Sequence, residues 1–296
     1  MEFKQLETFI SVARLKSFSK AAKALYLTQP TVSNHIQWLE QELQTILFNR
    51  NNNKDVTLTK AGEVFFQHAL ELLNKKESAL FSLREYKGKI EGTLEISAST
   101  IPGQHLLPGI LSKFNKKYPH VAFKLMKYDS QQVIDKLLSG EIDFGFVGFK
   151  KESSQLDYIE VMKDRIILTA PNHGKYSAIN EISLDELHSL ALIFRETGSG
   201  TRKVVEAALQ QRQFVAKQLK PVAIIENTQT IKECVKGGLG LTFISAKAVV
   251  DEIEQGIFKE ISVDGLEITR SFYFVYHKSR ALSPLATAFK DFVLRS

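Results

Sequence analysis

The chain has 296 residues, 44% hydrophobic and 24% charged, enough for a large core and two or three domains. It has no apolar run of about 18 residues, so no membrane span is expected. A single cysteine, Cys234, excludes an internal disulfide and fits a reducing compartment. A net charge of +6 suits a polyanionic partner but is also the mild basicity of many soluble proteins.

In chain order, MEFKQLETFISVARLKSFSK reads as an amphipathic helix interrupted by charge, not a secretion signal, which places the protein in the cytoplasm. A short Ala-rich helix follows over Ser19 to Ala24, with Ser19 as its N-cap, and then a tight Leu-Tyr-Leu connection. A second helix opens at Thr28-Gln29-Pro30, where Thr28 caps and the missing N–H of proline costs nothing. Val32, Ile36, Leu39 and Leu43 recur at helical spacing and face a small core. The opposite face carries Gln29, Pro30, Asn34, Gln37 and Gln41, flanked by Thr31 and Ser33. Amides and short hydroxyls can read base edges in the major groove. Leu47-Phe48-Asn49-Arg50 then enters a polar hairpin returning at Val56-Thr57-Leu58, and Arg50 and Lys54 would touch phosphate. Residues 1–58 thus read as a winged helix-turn-helix for double-stranded promoter DNA, with Ser19 at its edge. Only seven basic residues stand against five acidic ones there, so one copy grips weakly and oligomerisation is expected.

Residues 59–90 form a long helix and hinge. The stripe of Val64 or Phe65, Ala69, Leu72 or Leu73, Leu80 and Leu83 exceeds what a small winged domain can cover. A two-helix dimer contact is the expected solution, an ordinary packed helix the alternative, with the hinge at Lys87-Gly88-Lys89 and Glu91-Gly92. From residue 91 strands alternate with helices: strands at 93–98, 121–126, 143–147, 165–170, 190–194, 222–226, 241–244 and 271–276, and helices at 103–118, 130–139, 201–213, 229–236 and 284–294. Such order argues a mostly parallel sheet flanked by helices. It divides into two α/β lobes, one of residues 91–163 and 268–296, the other of residues 164–267, joined by crossing strands.

Ligands of open α/β sheets bind beyond the strand carboxyl ends, where helix N-termini converge. Four junctions qualify: Ser99 and Thr100 with Gln104, Ser130, Thr197-Gly198-Ser199-Gly200-Thr201, and Asn227-Thr228. In Glu196 to Arg202, ETGSGTR, two glycines allow close backbone approach and the hydroxyls and helix start favour a small oxyanion. Any one junction of this kind can be a cap and nothing more.

Phe9, Ser17-Phe18-Ser19-Lys20-Ala21-Ala22, Leu27-Thr28-Gln29-Pro30-Thr31-Val32-Ser33, Leu39-Glu40, Leu47-Phe48-Asn49-Arg50 and Leu58-Thr59-Lys60-Ala61-Gly62-Glu63 together resemble the LysR-type transcriptional regulators. The resemblance implies an α/β chain with a winged helix-turn-helix, a long linker helix and a bilobal effector domain like the type 2 periplasmic-binding fold. It also implies a homodimer through the linker helix and a homotetramer; no cofactor motif stands in the residues, so no cofactor is expected. RETGSGTR resembles a subset that controls sulfur, nitrogen or carbon assimilation and responds to small anions or acids. Two departures stand out: the family usually has Gly at the position of Gln44, and often Arg where this chain has Asn34 and Asn51 to Asn53.

Other chemistries find no support. Seven histidines show no metal-ligand spacing. Gly198-Ser199-Gly200 lacks the nucleophile-elbow spacing, and Lys203 falls outside a phosphate loop. Cys234, with Ile231 and Val235, reads as a buried thiol, and Trp38 as core or interface packing. The chain is not expected to be an enzyme. A small-molecule binding protein without a transcriptional role is the alternative.

Overall fold

The computed structural model describes residues 1–49, 56–86, 90–214 and 219–295. Helices α1 (Phe3–Leu15), α2 (Phe18–Ala24) and α3 (Gln29–Glu42) pack on a hairpin of β1 (Phe48–Asn49) and β2 (Thr57–Leu58). Phe9 is fully buried at their centre, with ring centroids of Phe48 and Phe65 at 5.3 and 5.2 Å. Glu40 Oε1 accepts from the Leu47 amide at 2.8 Å and fastens α3 to β1. The cap of α2 corrects the sequence reading. Ser17, extended at φ −162°, accepts from the Lys20 amide, while Ser19 lies inside the helix. Thr28 caps α3 as expected, and Leu43 is the C-cap rather than an interior residue.

Helix α4 (Lys60–Tyr86) runs 27 residues. Phe66, Ala69 and Leu70 bury into the winged core, but Val64, Leu72, Leu80 and Leu83 are exposed. The stripe read from the sequence is therefore split between two faces.

Beyond α4 the elements are β3 (Glu91–Ser99), a π-turn at Pro102–Leu106, α5 (Leu107–Lys117), β4 (His120–Tyr128), α6 (Ser130–Ser139), β5 (Phe144–Val147), β6 (Leu156–Pro171), β7 (Glu181–Ile182), β8 (Ile193–Phe194), α7 (Gly200–Gln211), β9 (Ala223–Ile224), α8 (Thr228–Lys236), β10 (Thr242–Ser245), α9 (Val250–Glu254), β11 (Phe258–Val263), β12 (Ile268–His277) and α10 (Pro284–Arg295). The main sheet runs β4-β3-β5-β12-β6-β11-β7, with β10 also on β6. It is mixed, which corrects the mostly parallel expectation. β4, β3 and β5 are parallel, as are β11 and β7, but β12 is antiparallel to both β5 and β6. The reason is topological. The chain leaves one lobe along β6 and returns along β12, so the two crossing strands run in opposite directions.

The rings of Phe114 and Phe289 meet edge to face at 5.1 Å, seating α10 on α5. Cys234 is half-buried against the same extended core, less enclosed than expected. Trp38 is 54% exposed, so it is not a core residue of the chain.

Candidate DNA-binding surface and effector cleft

On α3, Val32, Ile36 and Leu39 are buried, which turns Gln29, Pro30, Asn34 and Gln37 outward. Thr31 and Ser33 flank them half-buried, and the Thr31 hydroxyl shares a hydrogen bond with that of Thr28 at 2.8 Å. Ser19 is exposed on α2. These residues share the solvent side of one helix-turn-helix. Arg50 and Lys54 lie outside the described residues.

The second site lies between the lobes. Ser99, Thr100, Ile101, Pro102, Asp129, Ser130, Arg195, Glu196, Ser199, Gly200, Thr201 and Arg270 line a void of about 10 Å³. That is near the smallest space able to hold one water. Three lining elements arrive at a strand end followed by a helix start: β3 before the π-helical turn, β4 before α6, and β8 before α7; Arg270 comes instead from within β12. Ser199 caps α7, Asp129 caps α6 and Asn227 caps α8, so positive dipole ends converge here.

Five of the nine expected ligand residues border the void: Ser99, Thr100, Ser130, Ser199 and Thr201, all at least nine-tenths buried. Thr228 is buried behind it and accepts from Arg195 Nη1 at 3.4 Å. Gln104 and Thr197 do not border it, because each sits on the solvent side of its turn. Asn227 is exposed, its Oδ1 taken by the Gln229 and Thr230 amides.

Sequence reasoning misses the charged groups. Arg195 closes a bidentate pair with its neighbour Glu196, both bonds 2.7 Å, and Nη2 also reaches Thr100 Oγ1 at 3.4 Å. Arg270 on β12 donates Nε to Asp164 Oδ2 on β6 at 2.8 Å and Nη1 to Thr201 Oγ1 at 3.0 Å. Ser245 completes Asp164 by donating to Oδ1 at 2.8 Å. Burial pushes the Arg270 guanidinium below its ordinary value, and Asp164 pulls it back up. Arg270 Nη2 is buried with no partner among the described residues. A lone Arg next to an apolar strand is a faint signal for Arg195. The register Arg270↔Asp164, across 106 residues, leaves none.

The lobes are shut against each other. A Cβ on Gly198 would overlap Asp129 Oδ2, and one on Gly200 would lie 2.8 Å from Ser130 Oγ, so both close approaches require glycine. Lys203 Nζ donates to Gln131 Oε1 at 2.6 Å and lies 4.4 Å from the centre of the Phe149 ring. Near the cleft, burial and then Lys232 lower the pKa of His105.

A winged helix-turn-helix, a long helix and a two-lobed receptor for a small ligand define a ligand-responsive DNA-binding regulator. Two family models match: "Bacterial regulatory helix-turn-helix protein, lysR family" over residues 3–63 and "LysR substrate binding domain" over residues 87–296. A probable RuBisCO transcriptional regulator of Cyanidioschyzon merolae is 30% identical over 288 residues, covering 96% of this chain and 95% of its own. Among solved structures, a full-length OxyR point variant from Pseudomonas aeruginosa is 20% identical with TM-score 0.70, covering 99% of this chain and 94% of its own. The Synechocystis PCC6803 CcmR regulatory domain, in complex with 2-PG, is 22% identical with TM-score 0.62, covering 69% and 97%. The chain belongs to the LysR family of transcriptional regulators, and its carboxyl-terminal part is an effector-binding domain. It is a regulator, not an enzyme. No helix among the described residues is long and apolar enough to cross a membrane.

Proposed function

We propose that the chain binds promoter DNA in the cytoplasm as a homodimer joined through α4, paired further into a tetramer, and is switched by a small anion held between its lobes. One observation carries the effector reading. Hydroxyls at three helix starts converge on a void that Arg270 also lines, and the buried Nη2 of Arg270 has no partner among the described residues. An unsatisfied buried donor is costly, and an oxyanion satisfies it. The complex of the CcmR regulatory domain with 2-PG supports a small-molecule ligand. Exposed Val64, Leu72, Leu80 and Leu83 support the helix-to-helix dimer, since a partner helix would cover them. On DNA, Gln29, Pro30, Thr31, Ser33, Asn34 and Gln37 meet base edges or their flanks, Ser19 lies beside them, and Arg50 and Lys54 hold phosphate.

Control follows if the anion prefers the shut lobes, since only a difference in affinity between two states shifts their balance. The test is thermal unfolding of the full chain with sulfate, thiosulfate, phosphate and short carboxylic acids. A ligand at about 100 times its Kd adds roughly 2.7 kcal/mol. A rise that Ser199→Ala cancels, relative to that variant's own baseline, supports the reading. The absence of any rise across the panel counts against it.

A further inference from the structure

Three consecutive residues at the start of α6 meet the opposite lobe. A Cβ on Gly198 would overlap Asp129, one on Gly200 would lie 2.8 Å from Ser130 Oγ, and the Gln131 amide donates to the Gly198 carbonyl at 3.4 Å. Lys203 adds its bond to the Gln131 side chain. The other end of the same helix lies at the winged domain. Arg280 holds the carbonyls of Leu137 and Leu138 and packs against Gly140, the left-handed C-cap of α6. In the loop that follows, Asp143 accepts from Arg14, near the end of α1, at 2.9 Å. Lys136 and Ser139 hold the Glu141 carboxyl below its ordinary range, and Lys16, the C-cap of α1, adds its attraction. Two cations of the winged domain thus stand against two carboxylates of lobe one. The Lys16 carbonyl in turn accepts from the Val56 amide at 3.3 Å, where the chain enters β2 of the wing.

Between these ends α6 spans 10 residues, about 15 Å of helix. Its buried face of Val133, Ile134 and Leu137 packs with Val147, Leu156 and Val275 in a patch separate from the main core of the lobe. A helix bonded along its length shifts as one piece, and shifts of about 1–2 Å are a common unit of switching. We propose that α6 reports the state of the cleft to the wing of its own chain: shutting the lobes fixes its first turn, while its last turn and the loop behind it hold the end of α1 and, through it, the return strand of the wing. This rests on the reading of lobe closure above and adds a route within one protomer to any that runs through α4. The Arg14–Asp143 pair is half-open to solvent, so the coupling is modest and weakens with salt.

Hydrogen exchange at single amides of the full-length chain tests this without an effector. Gly198→Ala forces the lobes apart, and the Gln131 amide reports the parting because its partner is the Gly198 carbonyl. The expected result is faster exchange at Gln131 and, with it, about two- to five-fold faster exchange at Val56. Removing the carboxylates with Glu141→Ala and Asp143→Ala should keep the response at Gln131 and abolish the one at Val56. Arg14→Ala with Lys16→Ala cuts the same seam from the winged side and should do the same, so the test survives if one pair fails to fold. A response at Gln131 with none at Val56, or one at Val56 that persists in the cut variants, overturns the proposal and leaves the effector reading standing. If neither Gly198→Ala nor Gly200→Ala changes exchange at Gln131, the lobes are not shut in solution, and the proposal falls together with the reading of closure.

Discussion

Arg14 at the end of α1 donates from Nη2 to Asp143 Oδ1 at 2.9 Å, joining the winged domain to the residue before β5 across 129 residues. It has company. Asn74 on α4 donates to the Ala281 carbonyl at 2.6 Å, and Arg280 donates to the Leu137 and Leu138 carbonyls at the end of α6 at 2.6 and 3.2 Å. The pair is half-open to solvent, with side chains 27% and 47% exposed. A double-mutant cycle of Arg14→Ala and Asp143→Asn should give a coupling of about 0.2–1 kcal/mol in unfolding, falling as salt rises. A coupling that salt does not touch would point to packing instead.

Gln44 sits at φ +49°, in the left-handed region, where the resembling family usually has glycine. The side chain costs about 1–2 kcal/mol in that conformation, and glycine returns part of the gain as chain entropy. Gln44→Gly should stabilise the winged domain by about 0.5–1 kcal/mol in denaturant unfolding. A loss would mean that the Gln44 side chain contributes more than its position suggests.

Asn34 and Gln37 face outward from α3, and replacing either with Ala should relax base preference at one position by roughly 1–3 kcal/mol. Arg50→Ala should instead weaken binding to all sequences alike and lower the salt slope. Selection from randomised sites separates the two outcomes.

Gly198→Ala places a methyl group against Asp129 and should oppose lobe closure by about 1–3 kcal/mol. Effector affinity then falls by about ten- to a hundred-fold while the unliganded chain still folds. Calorimetry with the tightest-binding anion reads this directly.

His105 and His277 both have pKa values lowered from 6.5, first by burial and then by Lys232 and Arg280 respectively. The folded chain holds them neutral while the unfolded chain takes up protons below about pH 6.5, so stability is lost as pH falls through the unfolded value towards the folded ones. Midpoints measured from about pH 7.5 to about pH 5 should drop, and His105→Gln with His277→Gln should flatten that drop. A slope unchanged in the double variant would assign it to carboxylates.

What is legible in this chain is written locally. Thr28 and Pro30 announce α3, and the caps Asp129 and Ser199 announce the starts of α6 and α7, because caps act over three residues. The rest joins distant segments. Strand β11 escapes assignment because FKEISV alternates only from Ile261 to Val263 and its partners Leu168 to Pro171 lie far back in β6. The pairing of Arg270 with Asp164 exists only once β6 and β12 are in register, so the hydroxyls of the cleft can be named from sequence and its guanidiniums cannot. Ser17 and Ser19 are alike as candidate caps until the backbone of one is seen to be extended.

The tightness of the shut cleft also governs the speed of the response. A void of about 10 Å³ leaves little room in this closed arrangement, so a bulky effector is expected to enter when Gly198 and Gly200 part from Asp129 and Ser130. Capture is then gated. The observed rate should climb with effector concentration, level off at the opening rate, and reach the same plateau for every effector that fits. A promoter under this regulator would register how long an effector pulse lasts before it registers how high the pulse rises.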